Sequence, residues 1–214
     1  MKSNLVMCCV VLMITVFAAV AGAQSQLTIS IEEPLGAGWQ LADAYLSSDQ
    51  SIVGKQSLYL PRWAGATYEI SKENVYGTVT MWVYDLNLGL PARPADFLAG
   101  PRWGIMNKAG DVFAIHLCWN PSMSGKYYAY SATSENLWRG RWNTDVLRSP
   151  GWHKFTFFTD GKTLTVTIDD QYQANLRVET TSTFTDGFTG LYFFGGDAAN
   201  LSGVYIDDIQ VSIL

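Results

Sequence analysis

The sequence predicts an all-β protein, a two-sheet antiparallel sandwich lying behind a cleavable export signal. Three observations carry that expectation. From residue 27 onward apolar and polar residues alternate with period two. Turn residues recur every ten or so positions. β-Branched and aromatic residues dominate the runs between those turns, and no stretch shows the spacing of an amphipathic helix.

The amino-terminal segment is expected to be removed. Lys2 is the sole charge before residue 24, an apolar run follows from Leu5 to Val20, and Ala21-Gly22-Ala23 supplies small residues at the cut. A short positive region, an apolar stretch and a small-x-small site make a signal peptide. The run is short for a membrane span of about 20 residues, and Cys8 and Cys9 lie inside it rather than at the cut. Cleavage after Ala23 leaves residues 24–214 as one sandwich domain, secreted, at a cell surface, or periplasmic in a Gram-negative host. The 214-residue chain carries 14 basic and 19 acidic residues, and loss of Lys2 takes its net charge from −5 to −6. Scattered basic residues under a negative balance argue against nucleic acid as a partner. No later stretch is apolar enough to span a bilayer. Cys118 alone remains after cleavage, so no internal disulfide is available. It sits in a strand-like run and reads as a small buried apolar residue.

Twelve strands follow from the alternation, over 26–31, 57–61, 67–71, 77–86, 103–107, 112–119, 126–131, 153–159, 163–169, 175–178, 190–194 and 203–213. The sharpest local signal is Asp160-Gly161 between two alternating runs, expected as a two-residue hairpin turn. Alternation also assigns faces. Phe113, Ile115, Leu117 and Trp119 share a core face opposite Val112, Ala114, His116 and Cys118. Val79, Met81 and Val83 oppose Thr78, Thr80, Trp82 and Tyr84, and Leu164, Val166 and Ile168 oppose threonines. A face of mixed Trp, Tyr and His marks a partly covered sheet surface of the kind that builds a groove. The segments 87–102 and 132–151 are expected as long loops, carrying Pro91, Arg93, Pro94, Arg102, Trp138, Arg139, Arg141 and Trp142.

Three stretches carry a family resemblance. Glu32-Glu33, Gly38-Trp39 and Gly54-Lys55-Gln56-Ser57-Leu58-Tyr59-Leu60 resemble the opening of bacterial jelly-roll carbohydrate-binding modules. Val204-Tyr205-Ile206-Asp207-Asp208-Ile209-Gln210-Val211 resembles their closing strand, which laminin-G-like and concanavalin A-like jelly rolls share. Gly151-Trp152-His153-Lys154-Phe155 through Asp169-Asp170 is similar to the laminin-G-like hairpin, and there His153 reads as structural. The resemblance implies a concanavalin A-like jelly roll. It also implies a structural calcium held by Glu32 and Asp207, with Glu33 or Asp208 as near alternatives; calcium takes six to eight oxygens. The alternative is that Asp207 pairs with a backbone amide or a basic residue.

Catalytic machinery is incomplete. Glycosidases on this sandwich need two carboxylates about 5–9 Å apart, and the family-16 Glu-x-Asp-x-x-Glu strand is absent. Asp169-Asp170 and Asp207-Asp208 are adjacent pairs that a strand would point to opposite faces. The alginate-lyase branch wants Gln-Ile/Val-His. Ala114-Ile115-His116 matches in its last two positions, with Tyr128 or Tyr130 and Arg102, Arg139 or Arg141 as conceivable helpers. The expected function is therefore non-catalytic: a lectin-like or adhesive domain binding a polysaccharide or glycan. Flat aromatics bury the apolar faces of sugars while polar neighbours fix hydroxyls. The expected platform is Trp138, Trp142, Tyr128 and Tyr130, with Trp82, Trp103 and His116 in the groove. The alternatives are a lyase or hydrolase on the same fold, and a cell-surface protein-interaction domain. Asn200-Leu201-Ser202 forms a glycosylation sequon, meaningful in a eukaryotic host.

Overall fold

A computed structural model describes residues 25–86, 98–119, 126–134, 137–172, 184–197 and 203–214. Outside these lie the signal segment, Pro91, Arg93, Pro94, the strand expected over 175–178 and the 200–202 sequon. The side chains of Cys118, Trp119, Trp138, Arg139 and Arg141 are likewise outside the description.

Fifteen strands form two antiparallel sheets, with no α-helix among the described residues. They are β1 (Ser25–Ile29), β2 (Trp39–Ala42), β3 (Tyr45–Ser47), β4 (Ser57–Leu60), β5 (Gly65–Glu69), β6 (Gly77–Asp85), β7 (Leu98–Met106), β8 (Val112–Trp119), β9 (Tyr127–Ser134), β10 (Leu137–Leu147), β11 (Gly151–Thr159), β12 (Leu164–Ile168), β13 (Gln171–Tyr172), β14 (Gly190–Phe194) and β15 (Val204–Ile213). One sheet runs β13-β12-β11-β6-β15-β4-β3, with β1 also paired to β15. The other runs β10-β9-β8-β7-β14-β5-β2. This is the jelly-roll sandwich that the alternation and the resemblance implied.

The period-two pattern explains the packing. In β6 and β12 throughout, and in β11 from Trp152 onward, buried and half-buried residues alternate. Val79, Met81, Val83, Phe155, Phe157, Val166 and Ile168 face Trp103, Ile105, Phe113, Ile115, Leu191 and Phe193 of the opposite sheet in one core cluster. Burying each such side chain contributes about 1.5–3 kcal/mol. At one end of the core the Arg148–Asp85 pair closes at 2.9 Å with both side chains buried. His153, also buried, is held by Asp169 (Nδ1 to Oδ2, 2.6 Å) and by the Ser149 carbonyl (2.8 Å).

Five local expectations need correction. Residues 132–151 are largely strand, because β10 pairs β9 across two register shifts that break its alternation. Likewise β7 begins at Leu98, with its own shift between Ala99 and Arg102. The 160–163 turn is four residues long, since Thr159 pairs Leu164. Asp160 Oδ1 accepts the Lys162 and Thr163 amides, both at 2.9 Å. Asp169-Asp170 is instead the two-residue turn: both residues have positive φ (49° and 62°), the combination a type I′ hairpin demands, and Ile168 pairs Gln171 across it.

The last correction concerns β15. A bulge between Asp207 and Gln210, with Asp208 at φ 43°, shifts its register against β6. Asp207 therefore shares the outer face with Tyr205, Gln210 and Ser212, while Ile206, Ile209 and Val211 point into the core. Strict alternation from Asp207 would place it on one face with Ile209 and Val211. Asp207 is buried all the same, because residues 52–53 lie over it.

Candidate functional site

Most of the expected platform faces inward. Trp103 and Tyr128 are fully buried and Tyr130 nearly so, all within the core cluster. Trp103 meets Tyr128 and Phe155 edge-on, at centroid distances of 6.2 and 4.9 Å. Register decides this: Trp103 pairs Ile115 and Tyr130 pairs Ile115 from the other side, so all three point to the side that Ile115 takes. Trp142 pairs Tyr130, stacks on it at 5.5 Å and packs against the core. Burial, then the Asp85 carboxylate, pushes the Tyr128 phenol well above its ordinary pKa. These four rings are core residues rather than an exposed platform. They also cannot serve His116 as catalytic tyrosines, because His116 lies on the opposite face of its sheet. Trp82 is on the outer face of the other sheet, paired with Lys154 and Asp207. Of the expected groove residues whose side chains are described, His116 alone lies on the outer face of the seven-stranded sheet.

That outer face does carry a groove, built from residues the sequence reading left aside. Two registered rows cross it. The first is Gln40–Thr67–Tyr192–Gly104–Ala114–Ser131 and the second Ala42–Gly65–Phe194–Arg102–His116–Ala129. Ala114, His116, Ala129 and Ser131 in these rows are buried, whereas Tyr192 and Phe194 are half-buried beside β5 and β2. A groove of 330 Å³ opens there, lined by Gln40, Ala42, Gly65, Thr67, Tyr192 and Phe194 among others. The Arg102 guanidinium lies over the Phe194 ring, 5.1 Å from its centroid. Burial raises the Tyr192 phenol above its ordinary pKa, opposed by the neighbouring Arg102.

At the end of the groove stands Trp63. The turn from β4 to β5 crosses between the sheets through Pro61-Arg62-Trp63-Ala64, closed by Ala64 N–H to the Pro61 carbonyl (3.1 Å). Trp63 N–H bonds the Gly196 carbonyl at 2.8 Å. The indole is 59% exposed and its backbone sits at φ 66°, a left-handed conformation uncommon for a bulky residue. Such strain persists where the surroundings impose it, and it clusters at binding sites. Its ring meets Phe194 edge-on at 6.3 Å, while Arg62 lies over it at 5.5 Å and donates from Nε to the Asp197 carbonyl at 2.6 Å. Trp63, Phe194 and Tyr192 thus form an aromatic wall and floor, with Gln40, Thr67 and Arg102 as polar neighbours.

The carboxylates expected to hold calcium have other partners. Asp207 Oδ2 accepts the Ile52 and Val53 amides (2.8 and 3.0 Å), and Oδ1 accepts the Asp208 amide (2.7 Å). Glu32 Oε1 accepts the amides of Lys55 and Gln56. These backbone bonds hold the Glu32 carboxyl below its ordinary pKa. The 48–56 loop therefore turns N–H donors toward both carboxylates, whereas calcium needs further oxygens there. Among the described residues no three His, Cys, Asp or Glu side chains group as metal ligands. The two carboxylates act as clamps on one loop.

No family model and no curated protein sequence matches the chain. Solved structures do match in fold. The laminarinase catalytic domain from Thermotoga maritima MSB8 superposes with a TM-score of 0.53 at 11% identity, covering 88% of this chain and 96% of that one. The Bacteroides ovatus GH16 protein of a mixed-linkage glucan locus, in complex with G4G4G3G product, gives 0.50 at 13%, covering 89% and 94%. Carbohydrate-binding module CBM66 from Bacillus subtilis gives 0.50 at 9%, covering 81% and 94%. At these identities the likeness establishes the concanavalin A-like jelly roll and leaves ligand and chemistry to this chain's own residues.

Proposed function

We propose that the chain is an exported, non-catalytic glycan-binding domain whose site is the Trp63–Phe194–Tyr192 groove. The observation that carries this reading is Trp63, a tryptophan more than half exposed in a left-handed turn beside an open groove floored by two more aromatic rings. A sugar ring is amphipathic. Its C–H face is matched by an aromatic ring, and its hydroxyls are matched by the Gln40 amide, the Thr67 hydroxyl and the Arg102 guanidinium. A groove of this kind, mostly apolar with a few placed polar groups, is the usual form of a small-ligand site. Binding of sugars by solved proteins of this fold is consistent with the reading and does not carry it.

The test is electrophoresis of residues 24–214 through native gels containing a panel of soluble polysaccharides. Wild-type protein is expected to be retarded by at least one. Trp63→Ala and Phe194→Ala should each weaken that retardation by about tenfold or more, the loss of one aromatic contact with its buried area. Unretarded wild-type protein across the panel, or full retention by both variants, would end this reading.

A further inference from the structure

The eight-stranded sheet carries a second aromatic feature on its outer face. Tyr45 of β3 pairs Tyr59 of β4, Tyr59 pairs Tyr205 of β15, Tyr205 pairs Tyr84 of β6, and Tyr84 pairs Trp152 of β11. Five consecutive strands thus present one aromatic ring each at the same level. The centroids are 5.4, 4.6, 6.1 and 5.4 Å apart along the row. Tyr45 is 52% exposed, Tyr59, Tyr84 and Trp152 are half-buried, and Tyr205 between its neighbours is covered. None of these side chains enters the core, where Leu58, Leu60, Val83 and Ile206 from the same strands already fill the space.

From this row we infer a second glycan site, one that takes a linear, neutral polysaccharide chain lying across the strands. The repeat is the first reason. Neighbouring strands lie about 4.8 Å apart, close to the advance of one pyranose ring along an extended chain, so each strand offers one ring per sugar. The polarity is the second. The row is bordered by groups that match hydroxyls rather than an alkyl surface. The Asp49 carboxylate lies against Tyr205 and Tyr59, where burial and then neighbouring groups hold both phenols above their ordinary pKa. The next level down offers Trp82 and the Lys154–Asp170 pair at 2.6 Å. The charge is the third. The lysine is matched within the face, and a carboxylate accepts from sugar hydroxyls while repelling an anionic chain. The inference rests on the glycan-binding reading of the groove and extends it: two sites on opposite outer faces let one polypeptide bridge two polysaccharide chains.

Bridging is read directly by coupling one neutral polysaccharide to beads, adding the protein, and measuring capture of a fluorescent form of the same polysaccharide. Xylan, mixed-linkage glucan and galactomannan serve as probes, with polygalacturonate as the anionic comparison. Wild-type protein is expected to bind the beads and hold the labelled chain. Tyr45→Ala/Trp152→Ala should still bind the beads through the groove while capture of label falls at least tenfold. Tyr45→Ala alone, at the exposed end of the row, should lower capture several-fold with an unchanged melting temperature, so a folding defect in the double variant does not decide the matter. Label capture by both variants at the wild-type level overturns the second site and leaves the groove standing. Row-dependent capture of polygalacturonate alone overturns the choice of a neutral chain. Wild-type protein that binds no bead removes the glycan-binding reading itself.

Discussion

Trp63 offers a test in which the usual order of two substitutions reverses. In most positions glycine is less stable than alanine by about 0.5–1 kcal/mol, because the unfolded chain gains freedom. At φ 66° an L-residue instead carries a left-handed penalty of roughly 1–2 kcal/mol that glycine escapes. Trp63→Ala and Trp63→Gly lose the same ring and the same contacts with Phe194 and Arg62, so their difference isolates the backbone. Subtracting the midpoints of the two effects makes Trp63→Gly more stable than Trp63→Ala by about 0.75 kcal/mol, or about 1.5–3 °C in melting temperature for a domain of this size. Differential scanning calorimetry of the three proteins measures it, and gel retardation on the same samples should show both variants weakened alike. An alanine variant as stable as the glycine variant, or more so, would refute the strained turn. A glycine variant that still binds like wild type would take the Trp63 ring out of the binding site.

Two further outcomes follow from the loop clamps. Replacing Asp207 by Asn sets an amide N–H₂ among backbone donors and should cost about 1–3 kcal/mol, lowering the melting temperature by about 2–12 °C; a chelator should leave wild-type protein unchanged, and a chelator-induced drop restored by calcium would make both carboxylates metal ligands. The Glu32 carboxyl titrates below its unfolded value because the folded state donates backbone N–H bonds to its anion. Its contribution is thus present at neutral pH and is lost as pH falls from about 4.5 through the depressed folded value. Protection of the Lys55 and Gln56 amides against hydrogen exchange should fall across that range, and Glu32→Gln should show the lower protection already at pH 7; identical protection in the two proteins at pH 7 would remove the clamp.

The layers of this fold are written in the alternation, and the site is not. Runs such as Phe155–Thr159 and Leu164–Ile168 pair without interruption, so each second residue reports its face and the core could be named in advance. Where a strand carries an irregularity the parity resets. The shift in β15 turned Asp207 outward, and two shifts hid β10 inside an apparent loop. Aromatic residues misled for a related reason. Trp103, Tyr128 and Tyr130 carry polar atoms that suggest exposure, yet their bulk fills the space between two wide sheets, with the Trp103 indole nitrogen lacking a partner among the described residues. The groove residues left one usable trace, a tryptophan in the short Pro61–Ala64 turn between two strands, where a tight turn cannot tuck a large ring away. The Tyr45–Trp152 row left none, because membership depends on which residue of each strand stands opposite which, and pairing register between strands distant in sequence is not legible along a single chain.

The partnership of β1 with β15 has a practical consequence for engineering. Ser25 sits opposite Ile213, so the outer ends of these two strands meet at one corner of the sheet. Tyr205 lies eight residues back along β15, about 25 Å away at strand rise. A tether attached to a cysteine introduced at Ser25 would hold the protein to a support and leave the row of rings facing free solution.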